Sequence, residues 1–255
     1  MGADRARWDL HWTRNATDLD QWDYLSEVIF RVLRDEIKEL AGRYIVEAGS
    51  GSGRISLRLA SQGAWITLVD YGLVALELGR SQFNKQGIPS NLVLADIHDL
   101  PFKDASFNIV WNAGVMEHYL QDRRTESLES LFRLCRPGGL LITLNPYAGS
   151  LTYRFGKSLL ERLKRWPYGE EYPVRTLRGV SGGSQVQVTK EYSIGFFVTL
   201  VEAYKFLPSP LSVNRFFKRV SRFCIKIAGV IAPVDRFFSK IFGGYLLVSV
   251  IERSK

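Results

Sequence analysis

The stretch Tyr44-Ile45-Val46-Glu47-Ala48-Gly49-Ser50-Gly51-Ser52-Gly53-Arg54 decides how this chain is read. Its apolar start reads as a buried strand, and glycine then takes every second position. The helical pattern Ile55, Leu57, Leu59, Ala60 follows at once. Strand, glycine turn and helix form the βα unit that holds a nucleotide. Glycine lets the backbone turn tightly and approach a ligand with no Cβ in the way, and the N–H groups opening the helix face that ligand.

Details narrow the ligand. A dinucleotide turn wants G-x-G-x-x-G/A, its last small residue letting the helix pack on its strand. Counted from Gly49 that position is Arg54, and from Gly51 it is Ser56, so the pattern fails both ways. No G-x-x-x-x-G-K-[ST] occurs either, which excludes a phosphate-cradling loop of that type. Glu47 puts a carboxylate at the strand end, where it repels a pyrophosphate and attracts an ammonium or sulfonium.

Outward from this unit the chain alternates. Apolar runs at 44–48, 65–70, 91–95, 107–112 and 139–145 read as strands, and helical patterns at 53–61, 72–86 and 121–135 fall between them. Alternation with short loops calls for a parallel sheet covered on both faces. Glu47, Asp70, Asp96 and Asn112 all fall at strand C-termini, where such sheets bind ligands.

Glu47-Ala48-Gly49-Ser50-Gly51-Ser52-Gly53 resembles the [DE]-x-G-x-G-x-G signature of class I S-adenosylmethionine-dependent methyltransferases. Further segments resemble that family in its own order: Trp65–Asp70, a second strand ending in an acid; Leu94–Phe102, with its D-x-x-x-L-P-F turn; Phe107–Asn112 through Glu117-His118; and Arg136–Leu141. The resemblance covers about residues 44 to 146 and belongs to the small-molecule branch. It implies a Rossmann-like α/β fold, a doubly wound, mostly parallel seven-stranded sheet with helices on both faces. An N-terminal helical cap and helical inserts after strands 5 and 6 complete it.

The resemblance also implies S-adenosyl-L-methionine as cofactor and a residue set to hold it. Glu47 reaches the methionyl ammonium, its rival role being a pair with Arg54 or Arg43. Gly49, Ser50, Gly51 and Gly53 make the turn. Asp70 accepts the ribose hydroxyls, with an N-cap for the helix at 72 as a compatible second role. Asp96 accepts the adenine amino group, Tyr71 and Ile97 sandwich the ring, and Asn112 lies at the sulfonium end. For an oxygen acceptor His118 is the candidate base, against an ordinary structural role; His11 is the fallback, and Tyr147 a candidate for orienting the acceptor.

The chain reads as one domain over 1–255: a helical cap at 1–42, the cofactor-binding core at 43–146, a variable acceptor cap at 147–190, and closing strands with an insert at 191–255. Trp22, Leu25, Ile29, Val32, Leu33, Ile37 and Leu40 predict a helix over 21–41 capped by Asp20. Trp8, Trp12 and Trp22 mark a docking segment, which either folds over the cofactor, as in the resembling family, or packs that helix on the core. Residues 146–190 are loose around one amphipathic helix at 150–166, and 196–206 and 244–251 read as a closing pair of strands, the second antiparallel.

The net charge of +8 is local. Between Leu211 and Phe242 seven basic residues face one acid, Asp235, so this segment alone carries +6. Phe216, Phe217, Val220, Phe223, Cys224 and Ile227 form an apolar stripe with Arg215, Arg219, Arg222 and Lys226 beside it; the helix is expected to stop before Pro233, and a shorter stripe follows. Such helices lie on anionic lipid, or else bury their phenylalanines as a cap. A nucleic-acid enzyme spreads its basic charge over its cleft, so RNA methylation ranks second and a catalytically silent scaffold third. Two cysteines, Cys135 and Cys224, give no disulfide framework and no metal spacing, Met1–Leu10 lacks an apolar signal core, and no apolar run reaches the length of a membrane span. The expectation is a cytoplasmic enzyme, peripheral at the inner face of a membrane, without metal. Its acceptor is expected to be a small molecule or lipid-linked.

Overall fold

The computed structural model describes residues 2–14, 22–180, 186–201 and 211–254. Seven strands form one sheet: β1 (Tyr44–Ala48), β2 (Trp65–Asp70), β3 (Asn91–Leu94), β4 (Phe107–Ala113), β5 (Cys135–Pro146), β6 (Val188–Ile194) and β7 (Leu246–Glu252). Their order is β3-β2-β1-β4-β5-β7-β6, with β7 antiparallel to both its neighbours and the first five parallel. The strand order reverses between β1 and β4, so a crevice opens at the C-terminal end of these two strands.

Successive side chains of a strand face opposite ways, and the core splits accordingly. Ile45, Ile109 and Trp111 join one apolar cluster with Leu33, Leu59, Leu68 and Phe83; Val46 and Val110 join the other with Leu128, Leu131 and Leu141. Helices α1 (Gly2–Arg14), α2 (Tyr24–Ile37), α3 (Arg54–Ala60), α4 (Leu73–Lys85) and α5 (Gln121–Phe132) belong to this body. The N-cap of α2 is Asp23, whose carboxylate accepts the Ser26 N–H at 2.7 Å; Asp20 lies outside the described residues. Glu27 accepts from Trp22 Nε1, Arg31 Nε and Arg58 Nη1 at 2.7 to 2.9 Å, tying α2 to α3.

The C-terminal third departs from the sequence reading. The sixth strand is Val188–Ile194, and Phe196–Val201 is a short helix, α7, in place of a strand; residues 202–206 lie outside the described ones. The cause is distant in sequence. Asp235 accepts the N–H groups of Gly195 and Phe197 at 2.8 and 3.0 Å, and Ser239 Oγ accepts that of Phe196 at 3.1 Å. These bonds satisfy the donors that open a helix. Helix α6 spans Leu151–Arg162, α8 Leu211–Lys226 and α9 Ala228–Phe242. The break falls at Ile227, and Pro233 is carried inside α9, whose buried Asp235 and Ser239 hold it against α7 despite the missing backbone donor.

Candidate active site

Gly49, Gly51 and Gly53 all have left-handed φ (71°, 52° and 64°), a conformation that side chains resist. Space is short as well. A Cβ on Gly51 would come within 2.2 Å of the Trp12 ring, and one on Gly53 within 2.4 Å of Leu68. The glycines therefore let α1 lie directly over the turn. This settles where the N-terminal segment docks: α1 roofs the glycine turn, while α2, the helix expected over 21–41, packs in the core.

Beneath the turn Asp70 is 6 % exposed. Its Oδ2 accepts the Gly51 N–H and its Oδ1 the Gly72 N–H, both at 2.8 Å. It thus fixes the turn and the start of α4 together. Burial raises its pKa against these bonds. The Tyr71 N–H also bears on this carboxylate, which still has acceptor capacity for a ligand hydroxyl. Glu47 is deeper, and burial pushes it up to about 8. Its Oε2 has no hydrogen-bond partner among the described residues.

A cleft of about 1450 Å³ opens along the strand ends. Gly49, Gly51, Asp70, Tyr71, Ile97 and His118 line it, together with Trp8, His11 and Trp12 from α1. Glu47, Ser50 and Gly53 sit behind the lining. Asn112 is fully buried, with neither amide atom hydrogen-bonded, and Ala113 and Gly114 reach the cleft in its place. Asp96 turns its Oδ1 to the His98 backbone N–H (2.9 Å) and ring Nδ1 (2.8 Å); burial alone would raise its pKa, but these bonds outweigh it and lower it. Tyr147 packs against the core beside Gly149 and does not line the cleft.

At the far end, His118 Nδ1 lies 3.0 Å from the Glu170 carbonyl and Trp8 meets the ring edge-on at 5.4 Å. His11 meets Trp8 and Trp12 edge-on and Tyr168 at a tilt, and burial lowers its pKa. Sequence reading missed two groups here. Glu117 is 4 % exposed and burial pushes it up to about 8. Glu171, also raised by burial, accepts the Tyr153 hydroxyl at 2.5 Å. Glu117 was legible only as part of a motif, and Glu171 stood in a loop with no pattern. Arg165, Arg215, Lys218 and Arg222 also line the cleft.

Residues 46–143 match the family described as "Methyltransferase domain". The O-methyltransferase rstn1 of Aspergillus nomiae is 30 % identical over 125 residues, 48 % of this chain and 55 % of that protein. The ubiquinone/menaquinone biosynthesis C-methyltransferase UbiE of Vibrio parahaemolyticus is 25 % identical over 190 residues, 65 % of this chain and 73 % of the relative. The match to the demethylmenaquinone methyltransferase of Clavibacter sepedonicus spans 42 % of that relative's length, so about half of such relatives is represented. Among solved structures, the PH0226 protein of Pyrococcus horikoshii has a TM-score of 0.60 at 15 % identity, covering 94 % of this chain and 95 % of that one. Magnesium protoporphyrin IX methyltransferase of Synechocystis with bound SAH has a TM-score of 0.57 at 15 % identity, covering 90 % and 82 %.

Fold, turn and buried acids define a Rossmann-like α/β protein built to hold a cationic nucleoside. Residues 46–143 carry a methyltransferase domain of the S-adenosylmethionine-dependent class I type.

Proposed function

We propose that this protein transfers a methyl group from S-adenosyl-L-methionine to a small amphiphilic or lipid-linked acceptor met at an anionic membrane surface. The observation that carries the surface reading is the direction of the apolar stripes. Helix α6 buries Tyr153, Lys157 and Leu160 and turns Leu151, Phe155 and Leu159 outward, with Phe155 74 % exposed; Leu163, just past its end, is exposed as well. On α8 Phe216 and Phe223 are exposed, while Val220 and Cys224 of the same stripe pack on the core; on α9 Val230, Val234, Phe237 and Ile241 are exposed. These helices touch through α7, by Thr152–Thr199 (2.8 Å) and the stacked rings of Phe196 and Phe238 (5.3 Å). Exposed apolar residues in such number mark an interaction surface. Arg154, Arg162, Arg219, Lys226 and Lys240 stand exposed among them, the charge that suits anionic lipid. No helix of the described residues is long and apolar enough to cross a membrane.

The cofactor fits the residues at the turn. Glu47 Oε2 is buried without a partner and suits the methionyl ammonium, directly or through water. Asp70 takes the ribose hydroxyls with its remaining acceptor capacity, Tyr71 and Ile97 flank the adenine, and Asp96 is left with Oδ2 for the amino group. Bound there, S-adenosylmethionine supplies an electrophilic sulfonium methyl. The protein's own part is alignment and exclusion of water, with α1 closing over the turn. A base at His118 acts through Nε2, because Nδ1–H is committed to Glu170. The basic residues on the cleft wall suit an acceptor with an anionic group.

Sedimentation with vesicles containing a third phosphatidylserine tests the surface reading. Wild type is expected to pellet. Reversing Arg219, Lys226 and Lys240 to Glu removes about 3 kcal/mol of attraction, more than a hundredfold in partitioning, and leaves the protein in the supernatant. Wild type that never pellets refutes the membrane reading.

A further inference from the structure

Glu117, His118 and Glu171 come together from two loops far apart in sequence. One ligand atom of each, a carboxylate oxygen or a ring nitrogen, lies within 4.8 Å of the others. We propose that these three side chains bind a divalent metal ion at the acceptor end of the cleft.

Proximity alone would not make a site, since carboxylates gather without ions. Three further observations point to a missing cation. Glu117 is 4 % exposed, and its Oε2 has no hydrogen-bond partner among the described residues. A buried carboxylate oxygen left so carries a desolvation cost that a cation removes. The nearby Arg124 acts on it through its charge but gives its hydrogen bonds elsewhere. Its Nε donates to the Met116 carbonyl (2.9 Å), Nη2 to that of Tyr172 (2.7 Å) and Nη1 to that of Pro173 (3.3 Å). Arg124 therefore ties the two ligand loops together through their backbones. The third observation is the histidine. With Nδ1–H donated to the Glu170 carbonyl, the tautomer carries its lone pair on Nε2, the arrangement of a metal-binding imidazole oriented by a backbone carbonyl.

Size is compatible. The centre of a triangle with no side above 4.8 Å lies at most about 2.8 Å from each corner, so inward shifts of about 0.7 Å reach the ~2.1 Å of metal–oxygen and metal–nitrogen bonds. Two carboxylates and one imidazole form an oxygen-rich, borderline set suited to Mn²⁺ or Zn²⁺ more than to soft, thiolate-seeking ions. Three protein ligands leave positions open, and both Glu117 and His118 line the cleft. An anionic oxygen of the acceptor would take an open position. That role rests on the methyl-transfer reading; the ion site does not. A metal on Nε2 excludes that nitrogen as base, and the ion's charge would then favour loss of the acceptor's proton.

The test is titration of the full chain with Mn²⁺ alone, following the free-ion electron paramagnetic resonance signal. Wild type is expected to remove one equivalent at micromolar free Mn²⁺, and Glu117→Gln and Glu171→Gln to weaken uptake at least tenfold. Melting curves without metal confirm that both variants fold. No uptake by wild type below a millimolar, or equal uptake by the variants, overturns the site. Absence of uptake with stabilisation by a primary amine would also overturn it and make the cluster an amine pocket. Calorimetry with S-adenosylmethionine on metal-free samples tests the methyl-transfer reading separately.

Discussion

Glu47 and Phe155 mark two halves of the molecule with inverted burial. Glu47 is a carboxylate 6 % exposed, while Phe155 is an apolar ring 74 % exposed. Around Glu47 the chain takes an acid out of water, which raises its pKa to about 8, and β1 holds it between β2 and β4. Around Phe155 it leaves apolar surface in water, on helices that meet the sheet mainly at its β6–β7 edge. Each half is costly for an isolated protein. On the function proposed above, a charged nucleoside would offset the first cost and an apolar surface the second.

The first way to break the comparison is Glu47→Gln. The folded pKa of about 8 lies above the ordinary value of 4.5, so the folded state holds a proton that the unfolded chain has released. The associated stability is complete below about pH 4.5 and is lost as pH rises through 8. The variant should lose its share of that slope and unfold at higher urea than wild type at pH 9, by about 1.4 kcal/mol for each unit between the two pKa values. Its affinity for S-adenosylmethionine should fall. Equal urea midpoints at pH 9 would mean Glu47 is not a charge buried at a cost.

Asp70→Ala comes next. It removes the acceptor of two backbone N–H groups as well as the proposed ribose contact. Calorimetry should find cofactor binding weakened more than tenfold, with a stability loss of about 1–3 kcal/mol from the two stranded donors. Unchanged affinity would remove Asp70 from the ribose. The smallest effect belongs to the other half: Phe155→Ser should change stability by no more than about 0.5 kcal/mol, and less protein should pellet with anionic vesicles. A large fall in melting temperature would show that this ring is packed against protein.

The cofactor half was legible because its logic is local. Strand, glycines and acid lie within eleven consecutive residues, and the same alternation repeats to β5. What lay beyond reach was set by distant partners. Phe196–Val201 has the composition of a strand and is helical because Asp235 and Ser239 satisfy its opening donors. Glu171 joins Glu117 only after the chain returns from α6. Periodicity found the stripes of α6, α8 and α9, but not that α8 would divide its own, Val220 and Cys224 packing on the core and Phe216 and Phe223 facing out, since an inward and an outward stripe have the same spacing.

Asp235 has one more consequence. Fully withdrawn from water on α9, it grips the N-terminus of α7 directly after the edge strand β6. A pull on α9 would therefore be felt first at the sheet's last strand, four strands away from β1 and its glycine turn. Helix α8 stands closer, with Arg215, Lys218 and Arg222 on the wall of the cleft itself.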